Sequence, residues 1–359
     1  MKKASRDLLQ EITNANGTSG FEAGIAAIVA KHLEGIGAIS YDNLGSIICE
    51  KTGDPQGPKI MLAGHMDEIG FMVKLITKEG YIKFAPLGGW WSQVLLAQRV
   101  IIETSKGPVI GIIGSKPPHL LPPDQRNKLV EINEMFIDVG AKDKNEVETT
   151  FGIRPGDPIY PDMKFAPMAG SKFFLAKAWD DRVGVALMVD TLKALKDAKH
   201  PNVLFGVGTV QEEVGLRGAQ TSVQSINPDV GIILEAGIAG DMPGVTEDES
   251  NIKLGEGAII EILDGSMIAQ SRLRDLVIET AKSENVPYQF GFIERGGTDA
   301  GKVHLHARGV PSIVICVATR YIHSHAGIIH GDDYASALKL VLALCKRLDA
   351  KTVAKLTAR

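Results

Sequence analysis

The chain has 359 residues, with 39 lysines and arginines against 43 acids, for a formal net charge of −4. That length predicts about two domains and a sizeable core. The near balance of charge excludes the basic footprint of a nucleic-acid or anionic-membrane binder. Cys49, Cys316 and Cys345 are odd in number and widely spaced, so no disulfide framework or cysteine zinc site is expected and a reducing cytoplasm fits. No apolar signal core follows the basic N-terminal residues, and eighteen consecutive apolar residues occur nowhere, so neither export nor a transmembrane helix is expected.

In chain order, Leu8, Leu9 and Ile12 predict a first helix behind Ser5 as cap, with Gly17 as its stop. A second helical run, 21–33, ends at Gly35, and residues 38–50 alternate about an Asn-Leu-Gly turn as a hairpin does. A short apolar strand, KIMLAG, then runs into His65. From 70 to 165 the texture changes to strand-like runs at 70–76, 81–87, 99–104 and 109–114, separated by glycine and proline, which predicts a small all-β module or barrel. Beyond it, helices at 181–196, 216–226, 270–285, 299–307 and 332–348 alternate with apolar strands, the pattern of an α/β sheet covered on both faces. The expected organisation is one α/β domain built from 1–69 and 166–359, with the β module 70–165 inserted. The lysine-rich tail after Asp349 reads as a solvated helix end.

Five strand-like runs end in a side chain able to hold a metal: His65, Asp180, the pair Glu212 and Glu213, Glu235, and His323. In an open α/β sheet the carboxyl ends of strands face one crevice, so these distant residues can converge. Taken singly, each has a plainer explanation. A histidine after a strand is more often a satisfied core residue, and Asp180-Asp181 can be a helix start, where acids are favoured. Glu212 and Glu213 are harder to dismiss, because two carboxylates that repel each other at the end of the buried run VLFGVGTV require a counter-charge. Two imidazoles and four carboxylates suit a pair of zinc, cobalt or manganese ions sharing one bridging carboxylate. Such a pair serves hydrolysis. His304 and His306 lie two apart in a predicted helix and face different ways. His325 and His330 read as outer groups or surface, and His119 as a loop residue. Nothing matches a P-loop or a GxSxG elbow.

AGHMDEIGFMV (63–73), GGWW (88–91), IGSKPPH (113–119), AWDDRVG (178–184), GTVQEEVGLRGA (208–219), AGDMPG (239–244), GGTDAG (296–301) and ATRYIHSHAG (318–327) together resemble the dinuclear metallo-aminopeptidases of the tetrahedral (TET) type. That family includes glutamyl aminopeptidases, and some members carry an endoglucanase label. The resemblance covers the whole chain in order. It implies a mixed-sheet, phosphorylase/hydrolase-like catalytic domain and an inserted barrel that makes dimer contacts, with dimers building a tetrahedral dodecamer. It also implies that Asp180 bridges two divalent ions, zinc or cobalt first and manganese next. His65 and Glu235 would complete one ion, Glu213 and His323 the other. Glu212 would act as general base and acid, and Asp67 would hold the His65 tautomer. The family usually has aspartate where Glu235 stands, so ligation there is the departure to check.

The expected activity is removal of single residues from short peptides. The alternatives are a glycoside hydrolase, which needs two carboxyls and no metal or histidine, an inactive metal-stabilised assembly subunit, or a deacylase of small amides. An acidic-residue preference would want a cation, for which Arg295, Lys302 and Arg320 are candidates.

Overall fold

The computed structural model describes residues 1–170 and 172–358. Its backbone is one eleven-stranded mixed sheet. At the centre four strands run parallel in the order Val203–Thr209, Lys59–His65, Val230–Ile238, Ser312–Arg320. They are buried almost throughout, which is why they read as continuous apolar runs and not as alternating ones. Antiparallel strands extend both flanks. The Ala38–Tyr41 and Ile47–Thr52 hairpin joins one side, and Gly327–His330 followed by Phe173–Ala176 joins the other. Two reversals restore the direction, so Phe173–Ala176 points the same way as the central four. The strands leading to all the candidate residues therefore end at one edge of the sheet.

Helices cover both faces. A side chain at Gly64 would strike Gly184, within the helix Trp179–Ala194, whereas one at Gly231 would meet Val303 of Ala300–Val303. The pairing of Ile233 with Ala63 puts Gly64 and Gly231 on opposite faces. By the same parity His65 and Glu235 face the side of Ala300–Val303. Six antiparallel strands between Gly70 and Pro161 close into a separate small barrel. The barrel has its own core, built around Phe71, Ile82, Val100 and Ile137.

Several local expectations change. Ser5 does not cap the first helix, which runs Lys3–Asn14 and buries Ser5 within it. The helix expected over 299–307 is the single turn Ala300–Val303, because Ala307 and Gly309 take positive φ and turn the chain. The C-terminal tail is a helix, Ala350–Thr357, capped by the Asp349 carboxylate and anchored by buried Leu356. Cys49, Cys316 and Cys345 are buried and unbonded. No helix among the described residues is long and apolar enough to cross a membrane.

Candidate active site

The sheet edge collects the candidates. His65 is the last residue of its strand, and Glu235 lies in the adjacent one. Glu212 and Glu213 follow Gln211, whose positive φ turns the chain at the end of the neighbouring strand. Asp180 stands in the first turn of Trp179–Ala194, where φ and ψ are not helical, and His323 takes positive φ three residues beyond its strand. These backbone departures turn the side chains off the sheet and into a crevice of about 810 Å³ lined by His65, Asp180, Glu212, Glu213, Glu235 and His323.

Asp180 is the hub. Its Oδ1 lies 2.9 Å from His65 Nε2 and its Oδ2 lies 3.1 Å from His323 Nε2. Glu235 Oε1 is 3.6 Å from His65 Nε2, and Glu213 Oε2 is 3.5 Å from His323 Nε2. Five of the six groups thus divide into two sets that share one carboxylate, Asp180. Glu212 Oε2 approaches His65 Nε2 to 3.8 Å, so the adjacent glutamates serve different halves of the crevice.

Both imidazoles are oriented from behind. His65 Nδ1 lies 3.0 Å from the Asp67 carbonyl, and His323 Nδ1 lies 2.9 Å from the Gly89 carbonyl. A carbonyl only accepts, so each Nδ1 carries the proton and each Nε2 is left with a lone pair directed into the crevice. The Asp67 carboxylate does something the sequence did not suggest. It accepts the backbone N–H of Glu212 (3.0 Å) and of Glu213 (3.2 Å), and Ser19 Oγ donates to it at 2.6 Å. Hydrogen bonds to a charged acceptor contribute about 1.5–3 kcal/mol each, so fully buried Asp67 pins the loop bearing both glutamates. Its nearer carboxylate oxygen is 3.5 Å from His65 Nδ1, farther than its own carbonyl.

Sequence reasoning also passed over Asp181 and Glu22. Asp181, read as half of a helix start, is fully buried and accepts from His65 N and Gly184 N, both at 2.9 Å. His65, Asp181 and Glu235 form one cluster with metal-ligand spacing, and His65, Asp180 and Glu213 form another. Both Asp181 oxygens already hold backbone donors, so it anchors the His65 strand end while Glu235 offers the freer carboxylate. Glu22 Oε1 accepts from Gln211 N and Gly20 N, which holds the turn before Glu212. Neither contact had a sequence signal, since each joins segments far apart in the chain.

The electrostatics call for cations. Burial, reinforced by Asp180, pushes Glu213 up to about 8. Burial also raises Glu212, with Asp299 and Glu213 adding to it, and raises Glu235, with Asp181 adding. His323 is pushed up to about 9, because hydrogen bonding to Asp180 and the charges of Glu213 and Asp180 together outweigh the opposing effect of burial. One carboxylate oxygen, Glu213 Oε1, is buried with no partner. Five acids against two imidazoles leave the cluster short of positive charge, and its 2.9–3.6 Å contacts match ligand-to-ligand spacings around ions bound at about 2.0–2.2 Å. The donor set fits divalent metal.

The remaining histidines stay outside. His304 bonds back to the Ala300 carbonyl, His306 reaches Asn227, and His330 caps its helix at Asp332 N. His325 is buried against Trp90, where burial lowers it to about 4. His119 is exposed. Arg320 is engaged by Asp241 at 2.8 and 2.6 Å, which removes it as a free specificity cation, while Arg295 lines the crevice.

Residues 45–340 match the family described as M42 glutamyl aminopeptidase. The chain belongs to that family. The putative aminopeptidase FrvX of Escherichia coli (strain K12) is 39% identical over 97% of this chain and 96% of its own length. The structure of a TET aminopeptidase from the archaeon Thaumarchaeota archaeon SCGC AB-539-E09 superimposes with a TM-score of 0.97 at 45% identity, covering 99% of both chains. The Pyrococcus horikoshii TET1 peptidase, described as able to assemble into a tetrahedron or a large octahedral shell, matches with a TM-score of 0.85 at 28% identity over 96% of this chain and 100% of that one. This M42 protein is a metal-dependent aminopeptidase, a hydrolase acting on peptides. The glycosidase alternative falls, since an acid pair for sugars needs no imidazole, whereas here the carboxylates gather round two.

Proposed function

We propose that this M42 aminopeptidase removes single residues from the free amino termini of short peptides, with Glu212 as general base and acid. The observation that carries the proposal is Asp180, whose two oxygens address two different histidines. In this reading Asp180 would hold both ions, with His65 and Glu235 completing one set and Glu213 and His323 the other. Zinc or cobalt suits these donors first and manganese next. When bound, such a pair polarises the peptide carbonyl and brings the pKa of water toward neutrality.

The residues themselves do the rest. Glu212 belongs to neither set of ligands, so its carboxylate is free to take a proton from the attacking water and deliver it to the leaving amine. The Asp67 carboxylate fixes the Glu212 backbone, and the Asp67 and Gly89 carbonyls keep each imidazole in one tautomer. A glutamate at 235 in place of a shorter aspartate stays within reach of His65 Nε2, which supports its role as a ligand.

We also read residues 70–165 as the dimerisation module and the protein as a homo-oligomer, from dimer to dodecamer. The TET1 peptidase supports this by its described assembly. A cytoplasmic setting would keep the three unbonded cysteines reduced.

Removal of metal with a chelator should abolish hydrolysis of aminoacyl p-nitroanilides, and zinc or cobalt should restore it. Glu212→Gln should lower kcat by about 10²–10⁴ at unchanged metal content. Full hydrolysis by that variant would reject the assigned base.

A further inference from the structure

A second cavity, of about 340 Å³, opens beside the crevice and shares with it Ile238, Ile293, Glu294 and Arg295. Ile259 and Phe292 extend its apolar wall. One group does not fit that wall. Glu261, on the strand Ala258–Leu263, also lines the cavity, is only 2% exposed, and has an Oε1 with no hydrogen-bond partner. A buried acid left this way costs free energy unless a ligand completes it. Gly291 is its register partner on the neighbouring strand and lines the same cavity, and any Cβ there would collide with the Glu261 carboxylate. Glycine at 291 therefore leaves the acid room.

The register connects this acid to the reaction centre. Cys316 pairs with Glu235 on one side and with Ile259 on the other. Glu235, Cys316, Ile259 and, two residues on, Glu261 thus face the same side of the sheet. Two strand spacings together with a two-residue offset along the strands, since Glu261 is level with Ile233, separate Glu261 from Glu235 by about 12 Å between Cα atoms, a span suited to a long side chain on a residue whose carbonyl lies among the cluster. We propose that this cavity receives the basic side chain, lysyl or argininyl, of the peptide's N-terminal residue, with Glu261 as its counter-ion. The inference rests on the aminopeptidase reading of the crevice and adds its specificity. Glu247, Asp248 and Glu249 at the cavity rim add negative charge, and Arg295, exposed at the shared mouth, opposes it. Burial, with Asp264 adding, pushes Glu261 up to about 8, and a cation beside it would favour its ionised form.

The test compares kcat/KM for lysyl and norleucyl fluorogenic amides, which differ in the terminal ammonium, using metal-loaded wild type and Glu261→Gln. Wild type should prefer lysyl at least tenfold, and the variant should lose that preference through a raised lysyl KM. Gly291→Ala, which displaces the acid from the other side, should reduce the same ratio, and melting temperatures would show that both variants fold. Equal lysyl to norleucyl ratios in wild type and Glu261→Gln would overturn the assignment. If metal-loaded wild type cleaves glutamyl or leucyl amides but neither of these two, this inference alone fails; if it cleaves no aminoacyl amide at all, the reading of the crevice fails with it.

Discussion

The two halves of the crevice are built differently. His65 sits on a central parallel strand, 2% exposed, with its backbone N–H held by Asp181 and its ring held by the Asp67 carbonyl. His323 sits on a loop beyond its strand, with positive φ and a side chain 37% exposed, and is held from behind only by the Gly89 carbonyl. The first half is part of the core, so its geometry is set by sheet register. The second is set by a loop and by a contact from the segment that carries Gly88 and Gly89. The difference implies that an ion held on the His65 side would be coupled to folding, whereas one held on the His323 side could be lost with little cost to the fold.

The largest expected effect separates the halves by truncation. His65→Ala leaves buried carboxylates unpaired, so it should abolish hydrolysis, lose both ions and lower stability by about 3–5 kcal/mol. His323→Ala should also lose activity but retain close to one ion per subunit and melt near the wild-type temperature. Metal analysis beside calorimetry reads both. Equal destabilisation by the two changes would erase the distinction.

A smaller effect is expected at Asp67, which serves the first half through its carbonyl and both glutamates through its carboxylate. Asp67→Asn keeps the carbonyl but turns an amide NH₂ toward one of the two backbone donors. A fall in kcat of about tenfold to a hundredfold should follow, corresponding to 1.4–2.7 kcal/mol, with metal content kept. Kinetics and metal analysis of one preparation check this, and loss of the ions would mean that Asp67 acts on ligation instead.

A further effect is on stability against pH in the metal-free protein. Glu213 is raised from 4.5 to about 8 and His323 from 6.5 to about 9. Both folded-state values exceed the unfolded ones, so the folded protein binds more protons through this window and loses stability as pH rises from about 4.5 to 9. Asp180 is shifted the other way, which affects only more acidic conditions. Bound ions need deprotonated ligands, so their stabilisation grows over the same range. Urea midpoints should therefore fall with pH without metal, and saturating zinc should offset the fall. A rise in the metal-free midpoint across this window would contradict the assignment of these groups.

Much of this was legible in the sequence, for a physical reason. Parallel strands buried on both faces read as unbroken apolar runs, so KIMLAG, VLFGVGT and VGIIL announce themselves and the polar residue that ends each one stands out. The barrel was legible from its glycine-punctuated strands. What escaped was contact between distant segments. Nothing local to Ser19 or Glu22 says that they brace the Glu212 loop, and nothing local to Arg320 says that Asp241 occupies it. Asp181 escaped for a different reason, because two acids at a helix start have an ordinary explanation and its role depends on the His65 strand lying beside it.

The central claim is that one carboxylate, Asp180, is shared by two ions. The most direct measurement is anomalous diffraction from crystals of the zinc- or cobalt-loaded enzyme. Two peaks roughly 3.5–4 Å apart, one beside His65 and Glu235 and one beside Glu213 and His323, with Asp180 between them, are the predicted result. A single peak at full activity, or two peaks without Asp180 between them, would contradict it.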